Sequence, residues 1–165
     1  ILDMLEAAKE LALDKNVKFN TRLFLAGYSE GGYATMAAHK AVEESKPAGF
    51  ELIASFAGAG AYDLPGMQNY LFGLTTYDDP HYLAYIVRSY QLTYGFSSAL
   101  TDFFKDPYAG RIPALFDGQK GAGEIDAQLT NVLAELIQDK IPGGINTDPS
   151  LAYMVNAFQE NSLTN

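Results

Sequence analysis

A serine with glycine two residues before and two residues after it lies in the stretch Gly27-Tyr28-Ser29-Glu30-Gly31-Gly32. A serine hydroxyl is a poor nucleophile until a base takes its proton and N–H donors hold the oxyanion that forms on its target. A tight strand-to-helix turn meets part of that need. It lifts the side chain above a sheet and presents the next backbone N–H at a helix N-terminus. Such a turn crowds its neighbours, so small residues are expected at Gly27 and Gly31, and Gly32 leaves further room for the helix to lie against the strand. The spacing G-x-S-x-G alone is a weak signal, and a plain glycine turn is the alternative. What weighs for chemistry is the context.

The elements needed to position the serine are present. Arg22-Leu23-Phe24-Leu25-Ala26 is a short apolar run that suits a buried parallel strand, and it leads straight into the glycine stretch. After the serine, YATMAAHKAVEESK reads as a helix, with Ala34, Ala37, Ala38 and Ala41 as a small-residue face toward a sheet. Before the strand, Leu2, Leu5, Ala8 and Ala12 recur at helical spacing and predict a helix over 2–13 with one buried face. After Pro47 and Gly49, residues 50–56 predict a second strand, closed by the small-residue run AGAGA. Helix, strand, turn, helix, strand is α/β alternation with a parallel sheet.

Past Asp63 no convincing strand follows. Helical spacing predicts helices over 80–94, 98–104, 124–138 and 149–160, with Pro80 and Pro149 in first turns. The expected organisation is an α/β core portion over residues 1–62 and a mostly helical insertion over 63–165. Composition narrows the function. The chain of 165 residues has a net charge of −9, which argues against a phosphate-backbone partner. It has no cysteine, hence no disulfide, thiolate metal site or Cys nucleophile. No apolar run is long enough to span a bilayer. The first residue is Ile1, and the opening segment has no signal-peptide pattern, so an internal piece or a processed chain is expected.

LFLAGYSEGGYATMAAHKAV resembles the nucleophile elbow and following helix of an α/β-hydrolase. FELIASFAGAGAYDL, the helical stretch containing DPYAGRIPALFDG and the ending ENSLTN extend the resemblance to bacterial relatives of the secretory lipases. That resemblance implies a helical cap after the sixth strand of the fold, Ser29 as the acyl-accepting serine and the Glu30 amide as one oxyanion donor. It also implies that the chain begins before the fifth strand and stops before the seventh. The triad acid and histidine, and the second oxyanion donor, are then expected outside this chain. Secreted or periplasmic placement follows from the resemblance alone.

The chain's own titratable residues are weighed against this. His39 is ten residues along the helix from Ser29, roughly 15 Å at 1.5 Å per residue, too far to be its base. His81 follows Pro80 at a helix start; distance does not exclude it, but no acid is clearly placed to orient it. Asp117 ends the run Ile112–Gly118, which Pro113 disfavours as a strand, so a loop with an Asp-Gly turn is expected. The Glu30 side chain suits a helix N-terminus, and Asp78-Asp79 before Pro80 reads as capping, so no metal is expected. Tyr77, Tyr82, Tyr85, Tyr90, Tyr94, Phe96, Phe103, Phe104 and Tyr108 are expected mostly to pack together. Tyr28, Tyr82 and Tyr85 are the candidates to touch substrate.

The expected function is cofactor-free hydrolysis of a carboxylic ester, a small lipid-like molecule, by acyl transfer to Ser29. A peptidase of the same fold and a non-catalytic hydrolase-like module are the alternatives. The missing remainder of the fold is the expected partner.

Overall fold

The computed structural model describes residues 1–164. Its order is α1 (Leu2–Asp14), β1 (Arg22–Tyr28), α2 (Glu30–Ser45), β2 (Glu51–Gly58), α3 (Leu64–Leu71), α4 (Pro80–Tyr94), α5 (Ala99–Phe103), α6 (Tyr108–Leu115), α7 (Ala122–Asp126), α8 (Leu133–Leu136), a 3-10 turn (Pro149–Leu151) and α9 (Ala152–Glu160). The fold is α/β: a two-stranded parallel sheet with flanking helices, followed by a mostly helical region. Contacts divide the chain into two compact units. One holds Ile1–Asp63 and the chain end from Leu163; the other holds Leu64–Ser162.

In the first unit β1 and β2 run parallel, from Arg22 beside Glu51 to Tyr28 beside Gly58, with an irregularity between Leu23 and Phe24. Parallel neighbours need a crossover, and α2 supplies it. The α2 face is built from Gly32, Thr35, Ala38 and Val42, all buried, so the expected alanine stripe is only partly the buried one. The strands are not buried as their apolar sequences predicted. Burial alternates along β1, leaving Phe24 55%, Tyr28 77% and, on β2, Phe56 64% exposed. Nothing among the described residues covers that face. Helix α1 also differs from expectation, for it has no fully buried residue. It is tied down through Lys9, whose Nζ donates to the Ala48 carbonyl at 2.7 Å and lies over the Phe50 ring.

The second unit holds the larger core. Leu83 and Val87 of α4, Leu100 and Phe103 of α5, Ile112 of α6, Leu136 of α8 and Met154 of α9 are all buried in one cluster. Truncating one of these to alanine costs about 2–5 kcal/mol. Helix α4 starts on Pro80 as expected and stops at Gly95, which takes the left-handed conformation. Two expectations fail here. The predicted helix over 124–138 is broken: α7 ends at Asp126 and α8 spans only Leu133–Leu136, because Val132 pairs with Thr76 in an antiparallel bridge. The segment expected as a loop from Ile112 is instead the end of α6, with Pro113 inside it. Asp117-Gly118 does form a turn. Asp117 accepts from the Gln119 amide and from Lys120, and Gly118 has φ 77°.

Candidate active site

Ser29 stands between the last residue of β1 and the first of α2, with φ 56° and ψ −121°. A non-glycine residue with that positive φ stores strain on the order of 1–3 kcal/mol unless its surroundings compel it. Here they do. The Ser29 N–H donates to the Gly58 carbonyl at 2.9 Å, and its carbonyl accepts from the Tyr33 N–H at 3.1 Å to open α2. A Cβ at Gly27 would sit 2.0 Å from the Gly31 carbonyl oxygen and 2.6 Å from Thr35 Oγ1, so only glycine fits. At Gly31 a Cβ meets nothing within 4 Å. The second close approach falls on Gly32, where a Cβ would lie 2.2 Å from the Gly58 carbonyl oxygen. The motif's second glycine is therefore not the crowded one; its neighbour is, because β2 comes past at Gly58.

The result is a serine exposed on a sharp strand-to-helix turn, with the Glu30 amide in the first turn of a 16-residue helix. The N–H groups of that turn have no intrahelical acceptor and the helix dipole favours negative charge there. Tyr28 and Glu30, either side of Ser29, are exposed as well. This arrangement can carry a nucleophile and one oxyanion donor.

His39 is fully engaged elsewhere. Its Nε2 lies 3.2 Å from Glu43 Oε1, and its Nδ1 lies 2.9 Å from Ser55 Oγ. A carboxylate only accepts, so Nε2 carries the proton and Nδ1 accepts from the Ser55 hydroxyl. No local pattern points to Ser55, which meets His39 because β2 packs against α2. This hydroxyl–imidazole–carboxylate array lacks an elbow, since Ser55 is in mid-strand in register with Leu25.

His81 does have an acid, contrary to expectation. Asp126, at the end of α7, accepts from the His81 backbone N–H at 2.8 Å and lies 2.8 Å from Nδ1 through its other oxygen. It caps α4, whereas Asp79, at the expected capping place, makes no side-chain cap hydrogen bond. The carboxylate fixes the imidazole with the proton on Nδ1. Forty-five residues separate the partners, and Asp126 was hidden inside an expected helix. His81 and Asp126 belong to the helical unit, Ser29 to the other.

Asp117 is held by its own turn. The Lys120 hydrogen bond, then the Gln119 amide, keep its carboxyl below the usual range. Of the aromatics, Phe103 and Phe104 are core. Tyr90, Tyr94, Phe96, Tyr153 and Phe158 form a chain of ring contacts, and Tyr82 and Tyr85 are about half exposed. The helical unit has an apolar cavity of about 40 Å³ against Leu71, Phe72, Val87, Phe103 and Phe158. Ligand pockets run to several hundred Å³, so this is a packing gap. No helix is long and apolar enough to cross a membrane among the described residues.

No protein-family model matches the chain, and no curated protein matches it in sequence. Solved structures do. A candidate hydrolase from Legionella pneumophila subsp. pneumophila is similar with TM-score 0.81 and 31% identity, over 95% of this chain and 43% of its own length. The ligand-bound form of the rice cell wall degrading esterase LipA from Xanthomonas oryzae is similar with TM-score 0.82 and 21% identity, over 98% of this chain and 44% of its own. The chain thus spans less than half the length of the structures it matches. These likenesses establish the α/β-hydrolase type of fold.

Proposed function

We propose that this chain is the nucleophile-bearing portion of a serine ester hydrolase related to the bacterial secretory lipases, with residues 63–165 as its cap. The observation that carries the reading is the strained backbone of Ser29, held in place from three sides at a strand-to-helix turn. The esterase and hydrolase names among structures of the same fold support the ester as substrate. In this reading Ser29 Oγ attacks the ester carbonyl while a histidine takes its proton. The Glu30 amide holds one side of the oxyanion, and the alcohol leaves with the proton the histidine returns. Water then repeats the sequence on the acyl-serine. No cofactor takes part.

The histidine, its acid and the second oxyanion donor come from the rest of the fold. The bare apolar face of β1 and β2 supports this, because a parallel sheet is ordinarily covered on both faces. The substrate is a small lipid-like ester, with Tyr28, Tyr82 and Tyr85 as candidates to touch it, and the protein works outside the cytoplasm. A peptidase on the same elbow is the second reading, favoured by no particular residue. Hydrolysis of p-nitrophenyl esters by the native protein, compared with a peptide p-nitroanilide series, separates the two. Ester turnover lowered at least about 10³-fold by Ser29→Ala is expected. Anilide turnover without ester turnover contradicts the reading.

A further inference from the structure

Asp79, His81 and Asp126 form a cluster that the serine chemistry does not use. One ligating atom from each lies within 4.8 Å of the other two. Asp79 is the last residue before α4, His81 is the second residue of α4, and Asp126 is the last of α7. The His81 side chain is 12% exposed and that of Asp126 23%, with Asp79 exposed at the rim. Two of the three groups are thus held in place by burial and by their own hydrogen bonds, and the third faces solvent.

Two carboxylates and one imidazole meet at this place. Three carboxylates of the helical unit are each paired with a lysine: Asp102 with Lys140, Asp117 with Lys120 and Asp139 with Lys105. Among the described residues no Lys or Arg pairs with Asp79 or Asp126; the His81 imidazole pairs with Asp126, and the Tyr77 phenol feels both carboxylates. Capping explains Asp126, and orientation by Asp126 explains His81. Neither explains Asp79, which caps nothing on α4 with its side chain.

We propose that Asp79, His81 and Asp126 bind a divalent cation of the zinc class. One imidazole nitrogen and two carboxylate oxygens suit zinc, which takes mixed N and O ligands and keeps an open position when the protein supplies three. Calcium needs six to eight oxygens and magnesium prefers oxygen alone, so both fit poorly. Zinc–ligand bonds near 2.0–2.1 Å set tetrahedral ligands roughly 3.4 Å apart. The 2.8 Å between His81 Nδ1 and Asp126 Oδ2 is a proton-sharing distance, and the cation takes the place of that proton with an opening of about half an ångström. The Asp126 oxygen that receives the His81 amide can stay where it is. Asp79 turns in without breaking a cap.

The site is independent of the serine reading, and its test needs no enzyme activity. The whole chain carrying His39→Ala is stripped with chelator and titrated with zinc chloride by calorimetry. That background removes the other imidazole–carboxylate pair, His39 with Glu43. One saturable site is expected, weakened about tenfold or more by Asp79→Asn, with the metal-free melting temperature of that variant unchanged. Cobalt(II) in place of zinc is expected to give the visible bands of a four- or five-coordinate ion, and His81→Gln to abolish them. Absence of saturable zinc binding overturns the proposal. So does binding that Asp79→Asn leaves unchanged, which would reduce the cluster to a helix cap.

Discussion

Ser29 concentrates the account at the residue scale, because its conformation is costly and its neighbours enforce it. The strain has a measurable consequence. Glycine adopts φ 56° without penalty, so Ser29→Gly is expected to stabilise the fold by about 0.5–2 kcal/mol after its greater unfolded-state entropy is subtracted. Ser29→Ala keeps the strain and is expected to leave stability within about 0.5 kcal/mol. Urea midpoints of the two variants check this, and equal midpoints would mean the backbone is relaxed. The glycines divide in a way the motif does not suggest. Gly27→Ala drives a Cβ into the Gly31 carbonyl, which is backbone and cannot move aside, and about 3 kcal/mol or more is expected to be lost. Gly31→Ala meets open space inside a helix and is expected to be neutral or to gain up to about 1 kcal/mol. Thermal melts of the pair decide it. Ser29 and Gly27 were legible in the sequence because the turn is local. The importance of Gly32 was not, because it arises from Gly58, 26 positions away in the numbering of the same chain.

At the scale of elements, local periodicity served where one helix carries one apolar face, and failed where short pieces share a core. Helix α4 was legible from Pro80 to its end. The stretch over 124–138 was misread because Ile125, Leu133 and Leu136 keep helical spacing while serving two separate helices. Polar ties hold such short elements. Asp102 of α5 accepts from Ser98 Oγ at 2.7 Å and from the Tyr153 hydroxyl of α9 at 2.9 Å, and pairs with Lys140 at 3.3 Å. Burial alone would raise its carboxyl, but those hydrogen bonds and the Lys140 charge outweigh it and hold it below the ordinary range. Burial first, then the hydrogen bond to Asp102 and its charge, push the Tyr153 phenol up, against a smaller downward pull from Ser98. Since the folded carboxyl titrates lower than the unfolded one, the unfolded chain binds the extra proton. Its stabilisation is fully present above the ordinary carboxylate range and is lost as pH falls through the folded value. Asp102→Asn is expected to cost about 1–3 kcal/mol at pH 7 and much less near pH 3. Denaturant midpoints across that interval check it, and a cost independent of pH would contradict it.

At the scale of the whole molecule, the sheet explains why the fold type was legible and the complete site was not. Two apolar strands around a crossover helix are enough to announce a parallel sheet, and one face of that sheet is bare among the described residues. In the proposed reading the base and the acid come from other strands, and these 165 residues would carry no trace of them. The two imidazoles present have partners of their own, Ser55 with Glu43 and Asp126, and neither pairing could be seen before the chain was folded. The most direct measurement is therefore on Ser29 itself, the proposed nucleophile. The native protein is treated with a fluorophosphonate and the adduct is located by mass spectrometry, with Ser29→Ala and Ser55→Ala alongside. The expected result is a single adduct on Ser29, lost in Ser29→Ala and kept in Ser55→Ala. An adduct on another residue, or ester hydrolysis that survives Ser29→Ala with no adduct on Ser29, would contradict the assignment.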